Sequence, residues 1–141
     1  MPQFFIEAPT GVQPEAKQRM MREITVAIDE AYRIPDVRVW LREYDPQNVS
    51  QDGQIGAEQI RPVCFLEAPP LNSLEAKRTM SNKIQGSIRE AYQGIANTEE
   101  TLVLMNLYPL ENAGFAGRLQ SDNPQIVEAI GKLNPRLAAS Q

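Results

Sequence analysis

Proline at position 2 has the chemistry to act as a base once Met1 is removed, which a small second residue usually permits. The chain would then begin with a secondary amine. An α-amino group ordinarily ionises near 8, and desolvation or a neighbouring cation lowers that value, so much of the amine can be neutral at pH 7. A neutral amine can take a proton from a carbon beside a carbonyl and return it elsewhere. The competing reading is a proline tolerated at a sheet edge, its nitrogen an ordinary amide. Further along, Arg38, Trp40, Arg42 and Tyr44 fall at alternate positions of one stretch, so one face of a strand there presents two guanidiniums. A guanidinium grips a carboxylate through a planar pair of donors. The competing reading for both arginines is solvated surface charge. The chain has no histidine and a single cysteine, Cys64, which excludes an internal disulfide, a zinc site of the usual type and a histidine base. No metal or cofactor is expected.

The elements that must position these groups belong to a chain of 141 residues, 42% apolar and 23% charged, in the range of one globular domain with one core. Apolar runs such as Leu102–Met105 fall far short of the ~20 residues that cross a bilayer, so no membrane association is expected. A net charge of −4 without a basic cluster argues against nucleic acid as a partner. A small anionic molecule suits the arginine face better. The first residues lack the basic stretch and apolar core of a secretory signal, and a cytoplasmic location is the expectation.

The chain repeats itself. Shifted by 60 positions, residues 2–32 lie over 62–92 without a gap and 14 of the 31 positions are identical, against about two by chance. The shared residues include Phe5/Phe65, Glu7-Ala8-Pro9/Glu67-Ala68-Pro69, Glu15-Ala16-Lys17/Glu75-Ala76-Lys77 and Glu30-Ala31-Tyr32/Glu90-Ala91-Tyr92. Four extra residues then enter the second copy, and the match resumes with Val39/Val103, Tyr44/Tyr108 and Gly53/Gly117. The repeats span about 2–60 and 62–121, followed by a short helix and a tail.

Each repeat changes period. A short strand (Phe4–Ala8, Val63–Ala68) gives way to a helix whose apolar residues recur every four positions: Met20, Ile24, Ile28 and Met80, Ile84, Ile88. Pro14 suits a first helical turn, and Asn72-Ser73 can cap the second helix. A second strand follows, Val37–Tyr44 and Thr101–Tyr108, rich in β-branched and aromatic residues. Strand, helix and strand in one sheet make a parallel, right-handed crossover. The fold class expected is therefore α/β (α+β): two β-α-β units in a four-stranded sheet with two helices on one face. Phe5, Phe65, Leu102 and Leu104 are candidates for the other face, which a homotrimer would cover. Asn123-Pro124 opens a last helical pattern to Leu133, and Asn134–Gln141 reads as a loose tail.

Pro2, the Gly11 turn, Glu15 and Lys17, Val37-Arg38-Val39 and Glu43 resemble, in order and spacing, 4-oxalocrotonate tautomerase, and the likeness covers each repeat as far as Gly53 and Gly117. The resemblance to the tautomerase superfamily implies a trimer of fused subunits, with Pro2 as general base. It implies that Arg38 binds a substrate carboxylate and polarises a carbonyl, and that Phe115 is the aromatic residue near the closing turn. A core or interface role is the alternative for Phe115, and packing the alternative for Trp40. Pro62 corresponds to Pro2, but its nitrogen lies inside the chain and is no base. The family's second arginine, just after the first-loop glycine, is absent: Val12 follows Gly11, and Asn72 stands at the equivalent place. Arg42 is the first candidate to replace it, sharing a face with Arg38, ahead of Arg61 and Arg118.

The activity implied is that of a cofactor-independent isomerase, a keto-enol tautomerase of a small 2-oxo or enol carboxylic acid. One alternative is a hydratase-type dehalogenase or decarboxylase of the same superfamily, in which Asp36 or Asp52 activates water. Another is a non-catalytic trimeric binding protein.

Overall fold

A computed structural model describes residues 1–135. The first repeat forms β1 (Gln3–Pro9), α1 (Pro14–Tyr32), β2 (Arg38–Tyr44) and a small hairpin of β3 (Ser50–Gln51) and β4 (Gln54–Ile55). The second forms β5 (Val63–Ala68), α2 (Leu74–Ala91), β6 (Leu102–Leu107) and a hairpin of β7 (Gly114–Phe115) and β8 (Arg118–Leu119), before α3 (Pro124–Leu133). The second strand of each repeat is shorter than its sequence pattern, beginning at Arg38 rather than Val37 and spanning Leu102–Leu107 rather than Thr101–Tyr108.

Period-two alternation decides which side of the sheet turns inward. Phe4, Ile6 and Ala8 of β1 and Cys64, Leu66 and Ala68 of β5 are shielded completely, against Met20, Ile24 and Ile28 of α1 and Met80, Ile84 and Ile88 of α2. Burying one large side chain of this kind is worth about 1.5–3 kcal/mol, more than any local propensity difference. Val39 and Leu41 of β2 and Val103 and Met105 of β6 complete the core from the outer strands. The helix ends follow their local chemistry. Pro14 occupies the first turn of α1, Arg33 closes that helix in the left-handed region at φ 54°, and Ser73 Oγ accepts from the Ala76 N–H to cap α2. Tyr32 at the end of α1 donates its hydroxyl to the Pro69 carbonyl at 2.9 Å. Its repeat counterpart Tyr92 is equally buried, yet its hydroxyl finds no partner among the described residues.

The strand order is β2-β1-β5-β6. Pairs β1/β2 and β5/β6 are parallel, as a β-α-β unit requires, and the repeats join through antiparallel β1/β5. Phe5 pairs with Phe65, and Gln3 and Glu7 with Glu67 and Val63. Phe5 thus faces its own repeat counterpart, which places a pseudo-two-fold axis between the two phenylalanines. Each repeat closes on a two-residue hairpin loop, Asp52-Gly53 and Ala116-Gly117, with positive φ at both positions of each, the geometry that matches strand twist in such turns.

The face of the sheet away from the helices carries Phe5, Arg38, Trp40, Arg42, Phe65, Leu102 and Leu104. Trp40, Leu102 and Leu104 stay 47, 49 and 40% exposed. This is the second apolar face expected from the sequence, and none of the described residues covers it. Asn134 does not begin a loose tail. It accepts from the Asn72 N–H at 2.6 Å and donates to the Pro70 carbonyl at 2.8 Å, tying the end of α3 to the loop before α2. The tail beyond Pro135 lies outside the described residues. Among those described, no helix is long and apolar enough to cross a membrane.

Candidate active site

Because β1 and β2 are parallel neighbours, both start at the same end of the sheet. Gln3 pairs with Arg38, and the Arg38 N–H donates to the Pro2 carbonyl at 3.2 Å. Two of the residues singled out by type, Pro2 and Arg38, are thereby brought to one corner. The connection that delivers Arg38 is short: Ile34 is anchored in the core and Pro35 stops the helix. Asp36 then adopts φ 72°, a left-handed conformation that Asp tolerates better than most residues. Pro2 is buried. The Arg38 side chain is 57% exposed, directed to the open face, and its nearest carboxylate is Asp36 Oδ1, 3.9 Å from Nε. A guanidinium held this loosely remains available to an anion.

With Met1 in place the terminal amine lies one residue ahead of Pro2, and it is already held below its ordinary value of 8.0. Desolvation is the larger cause, and the negative charge of Asp36 opposes it. The corner thus favours the neutral form of an amine. Cys64 offers no competing nucleophile, since burial, reinforced by the charge of Glu7, pushes its thiol up to about 12.

Arg42 departs from the sequence expectation. In the parallel register Glu7 lies directly across from it, and the Glu7 carboxylate accepts from Arg42 Nε at 2.5 Å and from the Tyr44 hydroxyl. That bond, helped by partial desolvation, raises the Tyr44 phenol above its ordinary value. The Arg42 guanidinium also sits 4.9 Å over the Phe5 ring, which stacks on Trp40 at 6.1 Å between centroids. Trp40 in turn donates its indole N–H to Gln3 at 2.9 Å. Arg42 is therefore compensated and packed, whereas Arg38 is held only loosely. The other candidate cations are likewise engaged. Arg61 pairs with Glu58 at 2.6 Å and more distantly with Glu100, and Arg118 donates to the Asp122 carbonyl. Val12, where the resemblance leads one to expect a second arginine, is buried in the core. Glu7 and Gln3 escaped the sequence reading. Both share the face of β1 that carries Phe5, but only the strand register reveals that they meet Arg42 and Trp40.

Phe115 is 51% exposed on β7, paired with Arg118 across its hairpin. It lies beyond the end of β6, the sheet end at which β1 and β2 begin, with β5 standing between β6 and β1. Within one chain it is not part of the Pro2–Arg38 corner.

The second repeat reproduces the backbone without the chemistry. The Leu102 N–H donates to the Pro62 carbonyl at 3.0 Å, so Leu102 stands where Arg38 does and Pro62 is an internal amide. A cavity of about 320 Å³ near this end is lined by Val63, Leu102, Arg61, Glu58 and Glu100 among others. The larger cavity, about 730 Å³, lies between α1, α2 and α3, where Leu71, Met80 and Lys83 line it. It includes neither Pro2 nor Arg38, so its size does not make it the site.

A duplicated β-α-β sheet with a proline and an arginine at one corner has the fold of tautomerase-superfamily structures. In particular the chain shares the fold of fused 4-OT structures. It superposes on a native fused 4-OT with a TM-score of 0.75 at 20% identity, over 86% of this chain and 98% of the other. A wild-type fused 4-OT described as an asymmetric trimer gives 0.71 at 20% identity, over 84% and 96%. Malonate semialdehyde decarboxylase gives 0.60 at 14% identity, over 81% and 90%. No family model matches the sequence, and no curated protein matches it.

Proposed function

We propose that the protein is a cofactor-independent isomerase, a keto-enol tautomerase of a small 2-oxo or enol carboxylic acid, working as a homotrimer after loss of Met1. The observation that carries this reading is the strand register that fastens the Arg38 N–H to the Pro2 carbonyl at 3.2 Å. It holds a potential base beside a guanidinium whose only ion-pair partner among the described residues is Asp36, at 3.9 Å, in a corner where the Met1 amine is held below its ordinary value. The neutral Pro2 nitrogen takes a proton from the carbon beside the carbonyl. The C–H electron pair becomes the new C=C bond and the carbonyl electrons move onto oxygen. Arg38 stabilises that oxyanion and holds the carboxylate, and the prolinium gives its proton to the oxyanion, leaving the enol and a neutral Pro2; the same steps in reverse turn the enol acid into the 2-oxo acid. The exposed apolar face supports the trimer, since patches of that kind mark association surfaces.

Asp36 gives specific support to a second reading, the hydratase-type chemistry of a dehalogenase or decarboxylase. Its carboxylate lies 3.9 Å from Arg38 Nε and its charge reaches the amino terminus. In that reading Pro2 stays protonated and Asp36 activates water. Intact mass of the purified chain establishes whether Met1 is gone. Chain lacking Met1 is then assayed on small enol acids, 2-oxo acids and 3-haloacrylates, before and after acylation of the terminus. Turnover that acylation abolishes, with the circular dichroism spectrum unchanged, is expected. Undiminished turnover after acylation excludes Pro2 from both mechanisms, and no turnover on any substrate leaves the non-catalytic binding protein as the better reading.

A further inference from the structure

Two grooves run between α1 and α2, and the pseudo-two-fold axis relates them. Ala27, Glu30, Ala31, Ala76, Thr79 and Met80 help to line the first, of about 730 Å³. Their repeat counterparts Ser87, Glu90, Ala91, Ala16, Arg19 and Met20 line the second, of about 270 Å³. The backbones correspond, so side chains and neighbours set the difference. In the smaller groove Arg19 bonds to Glu90, an ion pair that ties one helix to the other. Thr79 stands where Arg19 does and cannot make that bridge. Glu30 pairs instead with Lys83 at 3.1 Å, one turn further along α2. The larger groove also has a third wall. Helix α3 follows the second repeat and has no counterpart after the first, and Asn134 fastens its end to the loop before α2. One of two equivalent grooves is thus narrowed by a bridge, and the other is held open with a wall of its own.

The floor of the open groove is apolar: Ala27, Leu71 and Met80 are buried there, and Leu133 of α3 packs against the core. Its charged rim is compensated except at one place. Glu30 is taken by Lys83, Glu75 by Arg78 at 2.7 Å, and Lys132 by Glu128 at 3.1 Å. Arg33 lines the groove and is exposed, yet it has no ion-pair partner among the described residues. It also sits at a conformational cost. Arg33 closes α1 in the left-handed region at φ 54°, where glycine or asparagine is the usual residue, and the second repeat places Gly94 at φ 77° after α2. One uncompensated guanidinium beside an apolar floor fits a ligand with one negative charge and an apolar body. A dianion such as a phosphate monoester would bring its second charge toward Glu30 and Glu75.

We propose that the groove between α1, α2 and α3 is a second ligand site, taking an aliphatic monocarboxylate with its carboxylate on the Arg33 guanidinium and its carbon chain along Leu71, Met80 and Leu133. The groove lies on the helix side of the sheet and includes neither Pro2 nor Arg38. The site therefore stands whether or not that corner is catalytic.

Octanoate is the probe, with octan-1-ol as its uncharged counterpart. Met80 lines the open groove and Met20 the narrow one, so spectra of the full chain labelled with ¹³C at the methionine methyls carry their own control. Octanoate should move the Met80 methyl signal saturably and leave that of Met20 in place. Arg33→Gly suits φ 54° and should weaken octanoate about tenfold or more, with octan-1-ol unaffected, because a hydrogen bond to a charged group is lost. Thr79→Arg supplies the missing counterpart of Arg19 and should abolish the binding of both. An unchanged Met20 signal reports that each variant is folded. An unmoved Met80 signal, equal movement of Met80 and Met20, or undiminished octanoate affinity in Arg33→Gly would overturn the site. Movement of the Met80 signal with protein concentration alone would give the groove to a second copy of the chain and overturn it as well.

Discussion

Replacing Arg38 and Arg42 separately with alanine should separate catalysis from stability, because the structure gives the two arginines opposite surroundings. Arg38 is 57% exposed with its nearest carboxylate 3.9 Å away, the geometry of an exposed pair worth about 0–1 kcal/mol at most. Its removal should leave the thermal midpoint almost unmoved. If it holds the oxyanion, its loss removes a preorganised donor, about 2.7–4 kcal/mol of transition-state stabilisation, or about 10²-fold or more in kcat/KM. Arg42 loses more structure and less chemistry. Its ion pair to Glu7 at 2.5 Å and its position over the Phe5 ring are together worth about 1 kcal/mol, discounted for an exposed cation. The change also leaves the Glu7 carboxylate, only 18% exposed, without its cation and with the Tyr44 hydroxyl as its remaining side-chain donor. The expected order is Arg38→Ala below Arg42→Ala in kcat/KM, but Arg42→Ala below Arg38→Ala in stability. Steady-state kinetics on the best substrate of the panel, with urea denaturation of each variant, tests both orders. Small and equal kinetic effects would show that the arginine face is solvated surface and refute the assignment of Arg38.

The pH profile carries the sign of the mechanism: with Pro2 as general base, kcat/KM should rise through one ionisation below the ordinary value of a terminal amine, because Pro2 is buried and the neighbouring Arg38 disfavours a second positive charge. Asp36→Asn removes a negative charge that raises the amine of Met1 at the same corner and keeps a residue suited to φ 72°; if it acts alike on a Pro2 terminus, the limb should move to lower pH. A kcat/KM that falls through this ionisation would instead favour the protonated-proline reading. The two buried tyrosines should respond unequally. Tyr32→Phe loses the bond to the Pro69 carbonyl and should cost about 0.5–1.5 kcal/mol in urea titrations, whereas Tyr92→Phe removes a hydroxyl without a partner among the described residues and should be neutral or stabilising. Equal losses would mean that Tyr92 is satisfied by ordered water.

Duplication, the change from period two to period four within each repeat, and the alternation of Arg38, Trp40, Arg42 and Tyr44 onto one face are local properties of the chain, and each was legible in the sequence. So were the Pro14 start, the Ser73 cap and the inert nitrogen of Pro62, which depend on covalent chemistry and near neighbours. The joining of the repeats was not legible, because the antiparallel pairing of Phe5 with Phe65 brings together residues 60 positions apart and no local rule selects it. Nor was the fate of Arg42. Its charge looks as free as that of Arg38 along the strand, and only the parallel register that sets Glu7 across from it decides that one guanidinium is captured and the other left open. Local sequence dictates which face a side chain takes; through-space register decides which charge it meets there. Coulomb and hydrogen-bond energies depend on that second distance.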